Sequence, residues 1–394
     1  MKIYPTSLIL CSFVSSLQAQ SLVNTGFEEE TFGTAPGYIS SGANGSITGW
    51  TANDNSRVGL NSTGPFSNNG AVPEGSQVAF VQAVTGSSNT LTSASGITGL
   101  TAGKTYRITY RVNSRISAGN NSPEMRLVVG GSTAIRGDVT SVGGANPYKT
   151  VSYDFVATAS TASLAIDAAV SGGGTDETLL LDDFTVSEVT PRISVNAWNG
   201  DATSGITTAG GRTYSHAYNF GGGASNVDIN GVTFTGVAGG NPSVAGQFSY
   251  NMGSAFGADV NNVTGSSADL AEGFVFGNEN ATLTLEGLTD GQTYILSIFT
   301  VGFDADGFGR ISTITASDGE LLTVDVNQFG NNNGLRVDYE YVANGTSETI
   351  SLNALNTDAF HTYGFANAAI PEPSSFALFV GMLVLSSVLI RRRA

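Results

Sequence analysis

The sequence predicts an all-β protein built as two tandem antiparallel β-sandwiches. Three observations carry this reading. From residue 21 to 370 no helical periodicity is sustained, and short segments of alternating apolar and polar residues recur instead. Asn-Gly pairs at 44–45, 199–200, 230–231, 333–334 and 344–345 mark hairpins and tight turns, because both residue types tolerate the positive φ such turns need. Finally, the chain repeats itself.

The repeat sets the domain boundary. Gly99-Leu100-Thr101-Ala102-Gly103-Lys104-Thr105-Tyr106 returns as Gly287-Leu288-Thr289-Asp290-Gly291-Gln292-Thr293-Tyr294. A strand follows each copy, Arg107 to Val112 and Ile295 to Val301. Tyr153 to Ala168 aligns without gaps on Tyr339 to Ala354, at nearly the same spacing. Two similar sandwiches explain both echoes. Leu179 to Val186 reads as a strand closing the first unit, and Ile193 to Trp198 as one opening the second. The boundary therefore falls near Thr190-Pro191, giving units 20–190 and 191–369. So short a linker predicts that the units touch.

Composition narrows the function classes. The chain has 394 residues, 51 of them Gly, and only 12% charged residues. Hydrophobic residues reach 40%, enough for packed cores. The 16 basic residues face 32 acidic ones, a net charge of −16. Such a surface repels phosphate backbones, so nucleic acid is excluded as a partner. The one cysteine, Cys11, lies in the leader, so the sandwiches hold no disulfide and no thiolate metal site.

The two ends read as addresses. Residues 1–19 form a signal peptide: Lys2 is positive, Leu8 to Leu17 is mostly apolar, and Leu17-Gln18-Ala19 offers a small-residue cleavage site. At the other end Pro371-Glu372-Pro373 leads into Phe376 to Ile390, an uncharged run, and then Arg391-Arg392-Arg393. As a helix that run spans about 22 Å, short of the ~30 Å hydrocarbon core. Its terminal arginines obey the positive-inside rule for an exported chain. Residues 370–394 resemble the PEP-CTERM sorting signal of Gram-negative bacteria. The resemblance implies a C-terminal transmembrane sorting helix, an exosortase that removes it, and a mature protein at the cell surface or in the extracellular matrix.

A second resemblance covers residues 21–189. Asn24-Thr25-Gly26-Phe27-Glu28, then Gly49-Trp50, the Gly-Leu-Thr-x-Gly-x-Thr-Tyr strand and the closing Leu181-Asp182-Asp183-Phe184 are arranged as in galactose-binding-like jelly rolls. They look most like carbohydrate-binding modules of the family 4/9 type. The resemblance implies jelly-roll sandwiches, polysaccharide as partner, and structural calcium between Glu28 and Asp182. Two solvated carboxylates near a sheet edge are the plainer reading of that pair. Sugar binding needs aromatic faces for pyranose rings and polar groups for hydroxyls. Trp50, Tyr38, Phe66 and Tyr148 are the aromatic candidates, although a tryptophan at position 50 reads more readily as core. Arg111 and Arg115 are the polar ones, equally readable as a solvated face.

In the second unit Asp304-Ala305-Asp306-Gly307 matches only part of a calcium loop and reads as a glycine-rich turn. Trp198, Tyr214, His216 and Tyr218 read as a core stripe, as do His361 and Tyr363. No zinc-binding histidine pair, nucleophile elbow or phosphate loop is present. The sequence thus predicts a non-catalytic, exosortase-sorted protein that binds polysaccharide. A purely structural or adhesive envelope subunit is the alternative, and a glycan hydrolase or lyase the third reading.

Overall fold

The computed structural model describes residues 20–30, 38–40, 47–62, 69–115, 122–171, 176–303, 310–357 and 360–371. The signal peptide, the sorting segment from Glu372 onward, Phe66 and Asp304 to Gly307 lie outside the described residues, as does the side chain of Tyr38. Among the described residues no helix is long and apolar enough to cross a membrane.

Strand Thr105–Ser114 shows why these residues form a sandwich. Tyr106, Ile108, Tyr110 and Val112 alternate onto one face and are fully buried. Arg107, Thr109, Arg111 and Asn113 take the other face. Each inward side chain contributes roughly 1.5–3 kcal/mol by leaving water. The strand lies in a six-stranded sheet, ordered Tyr38–Ser40, Val58–Ser62, Gln77–Val84, Asp176–Glu188, Thr105–Ser114, Lys149–Val156. A five-stranded sheet closes the core: Ser132–Asp138, Glu124–Val129, Leu164–Ala169, Asn89–Ser93, Trp50–Ala52. From Ile193 onward the strands form a second pair of sheets, of seven and six strands.

The two sequence echoes are two copies of one structural device. In the first, the Tyr106 hydroxyl accepts the Thr101 N–H at 2.8 Å. In the second, the Tyr294 hydroxyl accepts the Thr289 N–H at 3.0 Å. Each tyrosine thereby pins the turn that starts its strand. Gly103 N–H reaches Ala157 O at 2.8 Å and Gly291 N–H reaches Ala343 O at 2.9 Å, tying each turn to the echoed downstream strand.

The pairing is not wholly antiparallel, as the sequence predicts it to be. Thr213–Gly221 runs parallel to Val232–Ala238, and Gly144–Pro147 parallel to Asn69–Ala71. The first pair arises because Asn230 and Gly231, both at positive φ, turn Val227–Ile229 back onto Val232–Ala238 as a two-residue hairpin. Val232–Ala238 then adds beside Thr213–Gly221 through its second edge.

The units pack tightly. Ile311 and Leu355 of the second sandwich are buried in the hydrophobic core of the first. Thr140 N–H donates to Leu355 O at 2.9 Å, Ser152 N–H to Thr323 Oγ1 at 2.8 Å, and Thr313 Oγ1 to Thr150 O at 2.5 Å. Arg107, 8% exposed, bridges both units: Nε and Nη2 reach Asp154 at 2.6 and 2.7 Å, and Nη2 reaches Glu320 at 2.7 Å.

Candidate functional site

Next to this interface a cleft of about 760 Å³ opens between the sandwiches. The outward face of the six-stranded sheet supplies Thr109, Arg111 and Thr150, and the 140–149 segment adds Tyr148 and Lys149. The second sandwich supplies Glu279, Asn280 and Asn353 opposite. Hydroxyl and amide groups share these walls with apolar surface from Val142, Pro147, Leu321 and Leu355.

Tyr148 is fixed by packing on Val78, Phe80 and Leu180. Burial raises its phenol above the ordinary range, so it stays protonated. Arg111 is half-exposed; it donates to Thr150 Oγ1, and its Nε lies 3.8 Å from Asp183. Lys149 Nζ donates to Thr140 Oγ1 at 2.6 Å and to Leu355 O at 2.7 Å. Burial pushes its ammonium down to about 8, and the Glu279 carboxylate opposes that shift.

A β-bulge lies in the strand beside Arg111. The register between Asp176–Glu188 and Thr105–Ser114 slips by one residue between Asp182 and Thr185, with Asp183 at φ 53°. Strict alternation after Leu179 and Leu181 would put Asp183 in the core. The extra residue seats Phe184 there instead and leaves Asp183 near Arg111. Asp182 stays fully buried, on the Tyr148 side. Burial pushes its carboxyl up to about 8; amide donation from Glu74 and Asp183 opposes this, and the neighbouring Glu74 and Asp183 charges add to it.

The sequence candidates separate accordingly. Arg111 and Tyr148 come together in the cleft. Trp50 does not: it is 2% exposed, its indole N–H donates to Val23 O and Asn24 O, and its ring lies 5.4 Å from Phe27 and 5.3 Å from Phe184. A sugar cannot reach it, and its bulk fills the space between the sheets. Arg115 faces Asp176 at 3.5 Å, at the strand end. His216 and His361 are buried among aromatic rings, His361 stacked on Phe274 at 4.1 Å.

Glu28 and Asp182 meet the same turn from two sides. Glu28 Oε1 accepts Ser76 and Gln77 N–H at 2.8 and 2.9 Å, and Asp182 Oδ2 accepts Glu74 N–H at 3.0 Å. Among the described residues no group of three or more His, Cys, Asp or Glu is placed to hold a metal. Sequence reasoning missed Lys149, Glu279 and Asn353. No local motif marks them, since the cleft exists only where two units meet.

Fold and site together define a two-sandwich β-protein with a polar cleft between its units. Residues 18–170 match the family model described as HpiC1-like, HpiC1 cyclase. No curated protein matches the chain. Among solved structures, the Stig cyclase Fisc from Fischerella sp. TAU, in complex with an indole derivative, is 17% identical over 43% of this chain and 96% of its own, with a TM-score of 0.32. The carbohydrate-binding module TmCBM61 bound to β-1,4-galactotriose is 16% identical over 44% of this chain and 100% of its own, TM-score 0.29. The ANX2 ectodomain from Arabidopsis thaliana is 12% identical over 75% of this chain and 84% of its own, TM-score 0.33. At that level the structural likenesses assign no activity to this chain. The family match does correct one expectation. A chain without enzymatic chemistry was predicted because no known catalytic motif stands in it; the match of the first unit to a cyclase family overturns that.

Proposed function

We propose that this is an exported surface protein of jelly-roll sandwiches whose inter-unit cleft binds polysaccharide. The cleft carries the reading. It sets a rigid tyrosine, a guanidinium and an ammonium among hydroxyl and amide groups, the mixture that orients sugar hydroxyls. The purified chain is expected to bind at least one polysaccharide in affinity electrophoresis. Asn353→Trp, which places an indole in the cleft from an exposed strand position, should weaken that binding by about tenfold or more. Undiminished binding by the variant would remove the cleft from the reading.

The cyclase family match favours a second reading, in which the first unit acts on a small molecule. Binding of the Fischerella cyclase's indole derivative, with none of any polysaccharide, would put this reading first. Binding of neither would favour the structural, adhesive subunit.

Calcium is part of the proposal. The pair proposed to hold it is Glu28 and Asp182, whose carboxyls meet the same turn. The remaining ligands would be backbone carbonyls and water. Export and sorting rest on the sequence alone: signal peptide 1–19, Pro371-Glu372-Pro373 and Arg391-Arg392-Arg393. In an exosortase-bearing Gram-negative host, mass spectrometry should find both ends removed. Retention of Arg391 to Arg393 in the mature chain would refute the sorting step.

A further inference from the structure

We propose that the cleft takes an acidic saccharide, a sugar unit carrying a carboxylate or a sulfate, seated between Lys149 and Arg111. This rests on the reading of the cleft as a saccharide site.

The protein carries a net charge of −16, so two cations on one cleft wall run against its general surface. Lys149 is the telling residue. Its ammonium is half-buried, and both of its hydrogen-bond acceptors, Thr140 Oγ1 and Leu355 O, are neutral. Neutral oxygens compensate a desolvated cation less well than an anion does. An ammonium has three donors, and these two bonds leave the third for the cleft.

Arg111 adds a planar fork to the same cleft. It gives one donor to Thr150 Oγ1 and holds Asp183 only loosely, at 3.8 Å. Its remaining donors suit the paired oxygens of a carboxylate or sulfate. The opposing charge is Glu279, on the second sandwich, beside Asn280 and Asn353. A carboxylate there accepts from sugar hydroxyls. The cleft thus has an anion-receiving wall and a hydroxyl-receiving wall, which suits a sugar charged on one side. A neutral sugar would use the second wall and leave the cations only Asp183, 3.8 Å from Arg111, and Glu279 as counter-charges.

The test is calorimetric titration of the full chain with four probes: an oligogalacturonate, its carboxyl-reduced counterpart, a sulfated oligosaccharide and its desulfated counterpart. At least one acidic probe should bind about tenfold or more tighter than its neutral counterpart, and its affinity should fall with added salt. Lys149→Met and Arg111→Gln should each erase most of that difference. Arg111 is half-exposed, so its variant remains informative if Lys149→Met disturbs the interface. The pair that shows the difference identifies carboxylate or sulfate as the charge. Equal binding of charged and neutral counterparts, or a difference that survives Arg111→Gln, overturns the inference and leaves the saccharide reading standing. No binding of any probe overturns both.

Discussion

Replacing Arg107 with methionine is expected to destabilise the protein by about 3–5 kcal/mol, because it strands two carboxylates at a buried interface. Arg107 is 8% exposed and lies between Asp154 of its own sheet and Glu320 of the second sandwich. Burial works against its charge, but the hydrogen bonds it donates to Asp154 and Glu320 outweigh that and hold its pKa above the ordinary value. Methionine fits the volume, strips Asp154 of its cation and leaves Glu320 only the more distant Arg192, at 3.7 Å. The loss should appear in urea unfolding as a lower midpoint. The transition should also separate into two, since the bridge spans both units. The triple change Arg107→Met, Asp154→Asn, Glu320→Gln should restore much of the stability, because nothing charged is then left unpaired. A loss below about 1 kcal/mol for the single variant would mean that water or a neighbour compensates the pair.

Asp182→Asn should change the pH dependence more than any exposed substitution. The Asp182 carboxyl is pushed from 3.8 up to about 8, chiefly by burial. An unfolded chain releases this proton near pH 4, whereas the folded chain keeps it until about 8. Between those values the folded state binds the extra proton, so stability is fully present below pH 4 and is lost as pH rises toward 8. Glu177 and Asp325, both raised by burial to about 6, slope the same way over the lower part of that window. Asparagine removes the largest of these contributions. The variant should match or fall slightly below the parent at pH 5, since it loses one acceptor for the Glu74 and Asp183 amides. At pH 8 it should be more stable by roughly 3 kcal/mol. Thermal melts across pH 4.5–8.5 check this; parallel curves would refute the buried, protonated carboxyl. Calcium supplies a second arm. If an ion sits at Asp182, it should raise the melting temperature of the parent at pH 8 and leave the asparagine variant unmoved.

The fold was legible where sequence and local geometry share a period. Alternation in Thr105–Ser114 gave the buried face directly, and the Gly-Leu-Thr-x-Gly-x-Thr-Tyr echo gave the same pinned turn twice. Asn230-Gly231 gave a hairpin. What it did not give was the parallel addition of Val232–Ala238, because strand order is set by distant packing. At Trp50 the residue type fitted either role, and only burial decides between them. The bulge at Asp182–Thr185 was hidden because a strand with one extra residue reads as an ordinary strand with a doubled acid. Half of the cleft was beyond reach, since Glu279 and Asn353 acquire meaning only opposite Lys149 and Arg111. Enzymatic chemistry was not legible for a different reason: no nucleophile elbow, zinc-binding histidine pair or phosphate loop stands in the sequence, and only the cyclase-family match of residues 18–170 points to it.

The last described strand, Gly364–Ala369, lies inside the seven-stranded sheet, antiparallel to Thr213–Gly221 on one side and Thr293–Val301 on the other. Tension applied to the chain beyond Pro371 therefore enters along an interior strand. To extract it, both flanking ladders must slide at once, hydrogen bonds loaded in shear rather than peeled one by one. A protein held at a surface by that end and pulled at its inter-unit cleft would transmit drag through a strand paired on both sides.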